Sequence, residues 1–230
     1  MTSNINEHSN TIPSFRAKLL LVVLPFLVLL LTKLIILLSV QLFQSKLFWI
    51  PGFIGYYLSI VLAFLISKKY LPIPVEQLIP RSFRPVPPFT LLLLTIVIPA
   101  LLPIMAFITQ IGNVPFEFLI YIVIFSCINP IFEEAFWRGL FIFMPGNNLF
   151  RILYSAALFS FSHFFLWSYW FKSPMILIPT VISTFIMGIA WMWFMQRWKN
   201  LLYPIVSHFF VDIFNLSVAV YYGIIAFENF

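Results

Sequence analysis

Long apolar runs, separated by short polar or proline-bearing stretches, dominate the pattern along the chain. They cover about residues 18–43, 49–67, 89–110, 116–143, 150–170, 174–196 and 201–227. Each reaches the roughly 20 residues that a helix needs to cross the hydrocarbon core of a bilayer. The pattern therefore predicts an all-α, polytopic transmembrane bundle of about seven spans, or eight if the last run breaks near Tyr222–Gly223. The first run is too long for a signal peptide and lacks a small-residue cleavage site, so it reads as an anchor. Residues 1–14 are polar and read as a disordered tail, with 15–230 forming one helical domain without internal repeats. Residues 70–89, YLPIPVEQLIPRSFRPVPPF, carry six of the 17 prolines. Each removes a backbone donor and constrains its neighbour, so this stretch reads as an interfacial loop joining two spans.

Composition sharpens the picture. The chain is 62% hydrophobic, 20% aromatic and only 9% charged, whereas a soluble domain is about a quarter charged. That balance implies an integral membrane protein. With the N-terminus on the cytoplasmic side, the inside segments hold Arg16, Lys18, Lys68, Lys69, Arg81, Arg84, Arg151, Arg197 and Lys199, against Lys46 and Lys172 outside. The bias favours that orientation. The net charge of +6 is thus a topology and headgroup signal and gives no reason to expect nucleic acid. A single cysteine, Cys127, lies within a run, which excludes a disulfide framework or a Cys-rich metal site.

Seven ionisable residues remain inside the runs: Lys33, Glu133, Glu134, Arg138, His163, His208 and Asp212. Charge at bilayer depth costs about 2.5–3.5 kcal/mol per group even on lenient scales, and it persists where groups pair or line a wet cavity. Lys33 stands apart on the first run and receives no role. The other six fall on three runs of the C-terminal half. Glu134 and Arg138 are four apart and share a helical face, so they can form an ion pair. Glu133 points about 140° away from Arg138, at 100° per residue, and must find a partner elsewhere in the bundle. A desolvated carboxylate without a cation beside it is suited to general-base chemistry.

The residues just upstream are Asn129 and Pro130, which resemble a helix cap and first-turn pair or a kink within a span. Either frees backbone groups beside Glu133, tolerable only next to protein or water, and the paired glutamates favour a cavity there. The fifth run places Phe159 and His163 four apart. The last, SHFFVDIFN, places His208 and Asp212 four apart, with Asn215 on nearly the same stripe. A His–Asp pair at that spacing can be a structural hydrogen bond, a pair of donors aimed at a ligand, or two metal ligands.

Taken in order, Glu-Glu-x3-Arg, Phe-x3-His and His-x3-Asp resemble the motifs of the CPBP intramembrane proteases. These include the eukaryotic type II CAAX prenyl endopeptidases and bacterial bacteriocin-processing or self-immunity proteins. The resemblance covers about residues 115–220. It implies peptide-bond hydrolysis within the membrane, with Glu133 and His163 activating a water and His208 and Asp212 stabilising the oxyanion. Glu134, Arg138 and Phe159 would support the site. Asp212 stands where the prenyl endopeptidases have Asn, and a carboxylate donates only when protonated. Ionised, it would orient His208 instead, leaving that imidazole as the main donor.

No cofactor is expected on this reading. Zinc, held by Glu133, His163 and His208, is the rival scheme. The expected partners are a membrane-anchored peptide or protein substrate and the lipid bilayer. The expected location is a cell membrane, bacterial for so short a chain, or the endoplasmic reticulum in a eukaryote. Two other function classes compete: a non-catalytic immunity or scaffold protein whose polar network only sets helix register, and a proton relay, which would call for an inverted repeat that the sequence lacks.

Overall fold

The computed structural model describes residues 15–43, 47–70, 82–169, 171 and 173–225. The expected N-terminal tail, most of the proline-rich loop, and Lys46, Arg81 and Lys172 of the charge count lie outside these residues. Among the described residues, six helices are long and apolar enough to cross a membrane: α1 (Phe15–Phe43), α2 (Trp49–Tyr70), α3 (Phe89–Asn113), α4 (Phe116–Phe143), α5 (Asn148–Trp167) and α6 (Pro174–Trp198). The seventh run folds as a shorter apolar helix, α7 (Leu202–Phe214), followed by α8 (Ser217–Tyr221). At 1.5 Å per residue α7 is about 20 Å long, short of the roughly 30 Å hydrocarbon thickness. It ends where Leu216 turns left-handed, at φ 53°, six residues before the break the sequence suggested.

The faces divide as lipid solvation requires. On α1, Leu21, Leu24, Val28 and Ile36 are buried, whereas Leu19, Leu30 and Leu34 are exposed. Lipid is as apolar as leucine, so the outward face costs nothing and association relies on close packing instead. Small residues supply it. A Cβ on Gly55 of α2 would lie 2.5 Å from Ile35 Cγ2 of α1, and one on Gly188 of α6 would lie 3.0 Å from the Ala156 backbone of α5. The α1–α2 and α5–α6 pairs are the most extensively packed in the bundle.

Irregular backbone collects in α3 and α4. In α3 a π-helical turn at Leu93–Val97 precedes Pro99, and the helix breaks again at Pro103. In α4 a π-helical turn at Ala135–Leu140 follows Glu134 directly; such turns occur frequently at functional sites. Pro130 sits inside a continuous helix that begins at Phe116, so Asn129 does not cap a helix and its side chain is free for other work. α6 stops at the left-handed Lys199, and Asn200 Nδ2 then donates to the Ser82 and Arg84 carbonyls at 2.7 and 3.0 Å. Tyr203 donates to the Phe83 carbonyl at 2.7 Å. These bonds tie the start of α7 to the segment leading into α3.

Candidate active site

α4 and α7 lie side by side, and each presents a polar pair at a spacing of four: Asn129 and Glu133 on α4, His208 and Asp212 on α7. Because that spacing stacks side chains on one helical face, the two pairs meet as rungs. Glu133 Oε2 is 3.5 Å from His208 Nε2. Asn129 Nδ2 donates to Asp212 Oδ2 at 3.0 Å. His208 Nε2 is 3.6 Å from Asp212 Oδ1.

The other nitrogen of His208 is committed. Nδ1 lies 2.8 Å from Glu134 Oε1, and since an ionised carboxylate only accepts, the ring donates there. The same Glu134 oxygen is 3.1 Å from Arg138 Nη1, the ion pair expected from the sequence. No guanidinium nitrogen is aligned for a hydrogen bond, so the attraction is Coulombic. The guanidinium also lies over the Phe159 ring at 3.9 Å and near Trp191 at 5.1 Å, where a planar, weakly hydrated cation is well accommodated. Phe159 also meets His163 edge to face, with ring centroids 4.4 Å apart. Trp191 stacks on His208 at 5.0 Å, and its Nε1 donates to Ser207 Oγ at 3.1 Å. Ser207 in turn donates to the Ile96 carbonyl in the π-helical turn of α3, at 2.7 Å.

His163 comes from α5. Its Nδ1 is 2.8 Å from the Phe159 carbonyl, which can only accept. In the neutral ring this places the proton on Nδ1 and leaves the Nε2 lone pair facing Glu133 Oε2, 4.0 Å away. That separation is too long for a hydrogen bond and wide enough for a bridging water. Glu133 is 1% exposed, and its Oε2 has no hydrogen-bond partner. Glu133, His163, His208 and Asp212 all line one cavity of about 410 Å3. Its remaining wall is apolar and aromatic, with Leu166, Trp167 and Met187 among its residues. The hydroxyls of Thr180, Ser183 and Thr184 on α6 are further lining groups.

All four candidate catalytic residues therefore meet in one place, and the three candidate supporting residues surround them. Lys33 lies elsewhere, with its ammonium 4.6 Å from the Tyr169 ring centroid. The sequence reading missed three contributors. Asn129 reads from the sequence only as a cap or kink residue. Tyr57 donates to Asn129 Oδ1 at 3.0 Å. Tyr56 accepts from Trp137 Nε1 at 3.0 Å and stands against Glu133. The available signals were a polar residue one turn before Glu133 and two adjacent tyrosines in an apolar span.

Zinc can be weighed on the donors. Two imidazole nitrogens and a carboxylate oxygen face the same space, yet among the described residues no three His, Cys, Asp or Glu groups are arranged to hold a metal ion.

Residues 115–214, which span every one of these motifs, match the family described as type II CAAX prenyl endopeptidase Rce1-like. That segment, somewhat under half of the chain, is what is similar to the Rce1-like family. No curated protein and no solved structure gives a significant match. At family level an Rce1-like chain is a CAAX-type intramembrane endopeptidase, a hydrolase. The six apolar spans make this one a multi-pass integral membrane protein. The matched segment begins just before α4 and ends at the last residue of α7, so Tyr56 and Tyr57 reach the Rce1-like site from outside it.

Proposed function

We propose that this protein cleaves a peptide bond of a membrane-anchored peptide or protein by a metal-free glutamate mechanism. The observation that carries this reading is Glu133 Oε2 facing both His163 Nε2 and His208 Nε2 across the buried cavity. A water between Glu133 and the His163 lone pair would donate one proton to each, which directs its oxygen lone pair toward the scissile carbonyl. Glu133 takes the proton as the C–O bond forms and returns it to the departing amine as the C–N bond breaks. His208, with an acceptor facing each of its nitrogens, donates from Nε2 to the developing oxyanion when doubly protonated. Glu134 and Arg138 hold that imidazole in place, and Asp212 lies beside it. If zinc were bound, Glu133, His163 and His208 would hold it, and it would supply Lewis acidity to the same water.

The test is cleavage by purified protein in proteoliposomes, using a farnesylated CAAX peptide, its unprenylated counterpart and a single-span leader-peptide fusion. Cleavage should survive exhaustive treatment with 1,10-phenanthroline and disappear in His163→Ala. Chelator-sensitive activity restored by zinc would replace the glutamate scheme with the metal scheme.

A further inference from the structure

The oxyanion site of the proposed reaction needs N–H or O–H donors pointing at the place where negative charge develops. Of the two side chains on the α7 face, only His208 meets that need, because the ionised Asp212 is an acceptor alone. Facing Asp212 across the cavity is Asn129, 4% exposed, and its amide orientation is settled by its neighbours. Tyr57 donates to Oδ1 at 3.0 Å, and Asp212 Oδ2 accepts from Nδ2 at 3.0 Å. The flipped amide would set its carbonyl against the carboxylate and its NH2 against the Tyr57 hydroxyl proton. Nδ2 carries two hydrogens. One is used by Asp212, and the second meets no acceptor among the described residues. Asn129 lines the cavity together with Glu133, one turn along the same helical face.

We propose that Asn129 is a catalytic residue whose second amide N–H binds the oxyanion alongside His208. Tyr57 and Asp212 act as positioning residues: the first holds the amide oxygen, the second holds one amide hydrogen, and together they aim the other hydrogen into the cavity. The inference rests on the endopeptidase reading, and it gives the polar contribution of α2 a purpose.

The experiment uses the full-length protein in proteoliposomes with the farnesylated CAAX peptide and its unprenylated counterpart. Asn129→Ala should lower kcat by about 100-fold, the effect of removing one oxyanion donor, with KM changed less than threefold. Tyr57→Phe should lower kcat severalfold, again with KM held. The deciding comparison is made in an Asp212→Asn background, where no carboxylate needs holding. If Asn129 is a donor, adding Asn129→Ala there still lowers kcat at least tenfold. If Asn129 serves only to hold the Asp212 carboxylate, adding Asn129→Ala there leaves kcat unchanged, and the inference is overturned. Thermal denaturation of each variant separates lost chemistry from lost fold, and Asn129→Ala with wild-type kcat would also overturn it. A wild-type protein that leaves both peptides whole overturns the endopeptidase reading and the inference with it.

Discussion

The α1–α2 pair and the α4–α7 pair are both apolar and both carry polar side chains, yet they satisfy them in opposite ways. In α1 and α2, Thr32, Ser39, Ser59 and Ser67 each donate to the carbonyl four residues earlier, at 2.7–2.8 Å. Each of these four bonds closes within its own helix, and the α2 side chains that bond beyond it, Tyr56 and Tyr57, do so at the α4 site. Between α4 and α7 the partners are far apart in sequence: Asn129 bonds Asp212, 83 positions away, and His208 bonds Glu134, 74 positions away. A hydroxyl on a short stem can reach its own backbone. A carboxylate, imidazole or amide held at depth needs a partner on another helix or a cavity. Local closure is how a span tolerates a polar residue, whereas long-range closure builds a site.

The largest effect that tests this contrast comes from Glu133→Gln. The carboxylate oxygen that faces both imidazoles becomes an amide that cannot take a proton, at almost unchanged volume. Cleavage should fall at least 1,000-fold, within the range assigned to a lost general base, and the melting temperature should stay within a few degrees. Retained activity would show that the long-range network is structural, as a scaffold protein would have it.

Arg138→Leu comes next and acts on stability instead. It strips the cation from Glu134 in a site where both side chains are fully buried. Removing one member of a buried pair costs about 3–5 kcal/mol, and the Glu134 carboxylate that holds the His208 ring would be left without its cation. Low membrane abundance and a depressed melting temperature are expected, partly restored by Glu134→Gln in the same chain. If Arg138→Leu folds normally but fails to cleave, Arg138 belongs with the chemistry.

These two residues also show what the sequence could reveal. The spacing of four between Glu134 and Arg138 is a property of one helix, so their ion pair is legible from sequence alone. The meeting of Glu133, His163 and His208 depends on how three helices pack; the resemblance to a protease family supplied it where periodicity could not. Asn129 and Tyr57 lay outside the quoted motifs, and a neutral amide or phenol in a span raises no alarm because its burial is inexpensive compared with a charge. The last run reads as longer than its helix for a related reason. Hydropathy registers apolar residues but not the left-handed Leu216, so α7 and α8 read as one long helix.

A smaller effect is expected where the packing itself is local. Gly188→Val would force a branched side chain against the Ala156 backbone, where even a Cβ would lie 3.0 Å away. Overpacking of this kind costs about 1–3 kcal/mol. Because α5 carries His163 and α6 carries Trp191, the separation should also blunt cleavage. Gly55→Ala would set a Cβ 2.5 Å from Ile35 Cγ2, on a stiff β-branched side chain, so it should also cost stability but leave cleavage nearly intact. Equal losses of cleavage from both would mean that α1–α2 packing matters to the site as much as α5–α6 packing.

The smallest effect is the most direct check on the contrast. Thr32→Val and Ser39→Ala together remove two hydroxyls from the buried face of α1. Each hydroxyl merely doubles a bond that its acceptor carbonyl already has within the helix, so no other helix loses a partner. Changes away from a network are usually within about 0.5 kcal/mol, and the removed groups are polar, which lipid does not favour. The double variant should therefore melt within a degree or two of wild type and cleave at an unchanged rate. Should it instead lose cleavage while keeping its stability, α1 must communicate with the cavity through groups that its own geometry marks as self-contained, and the distance between bonded partners would no longer separate structural polarity from functional polarity.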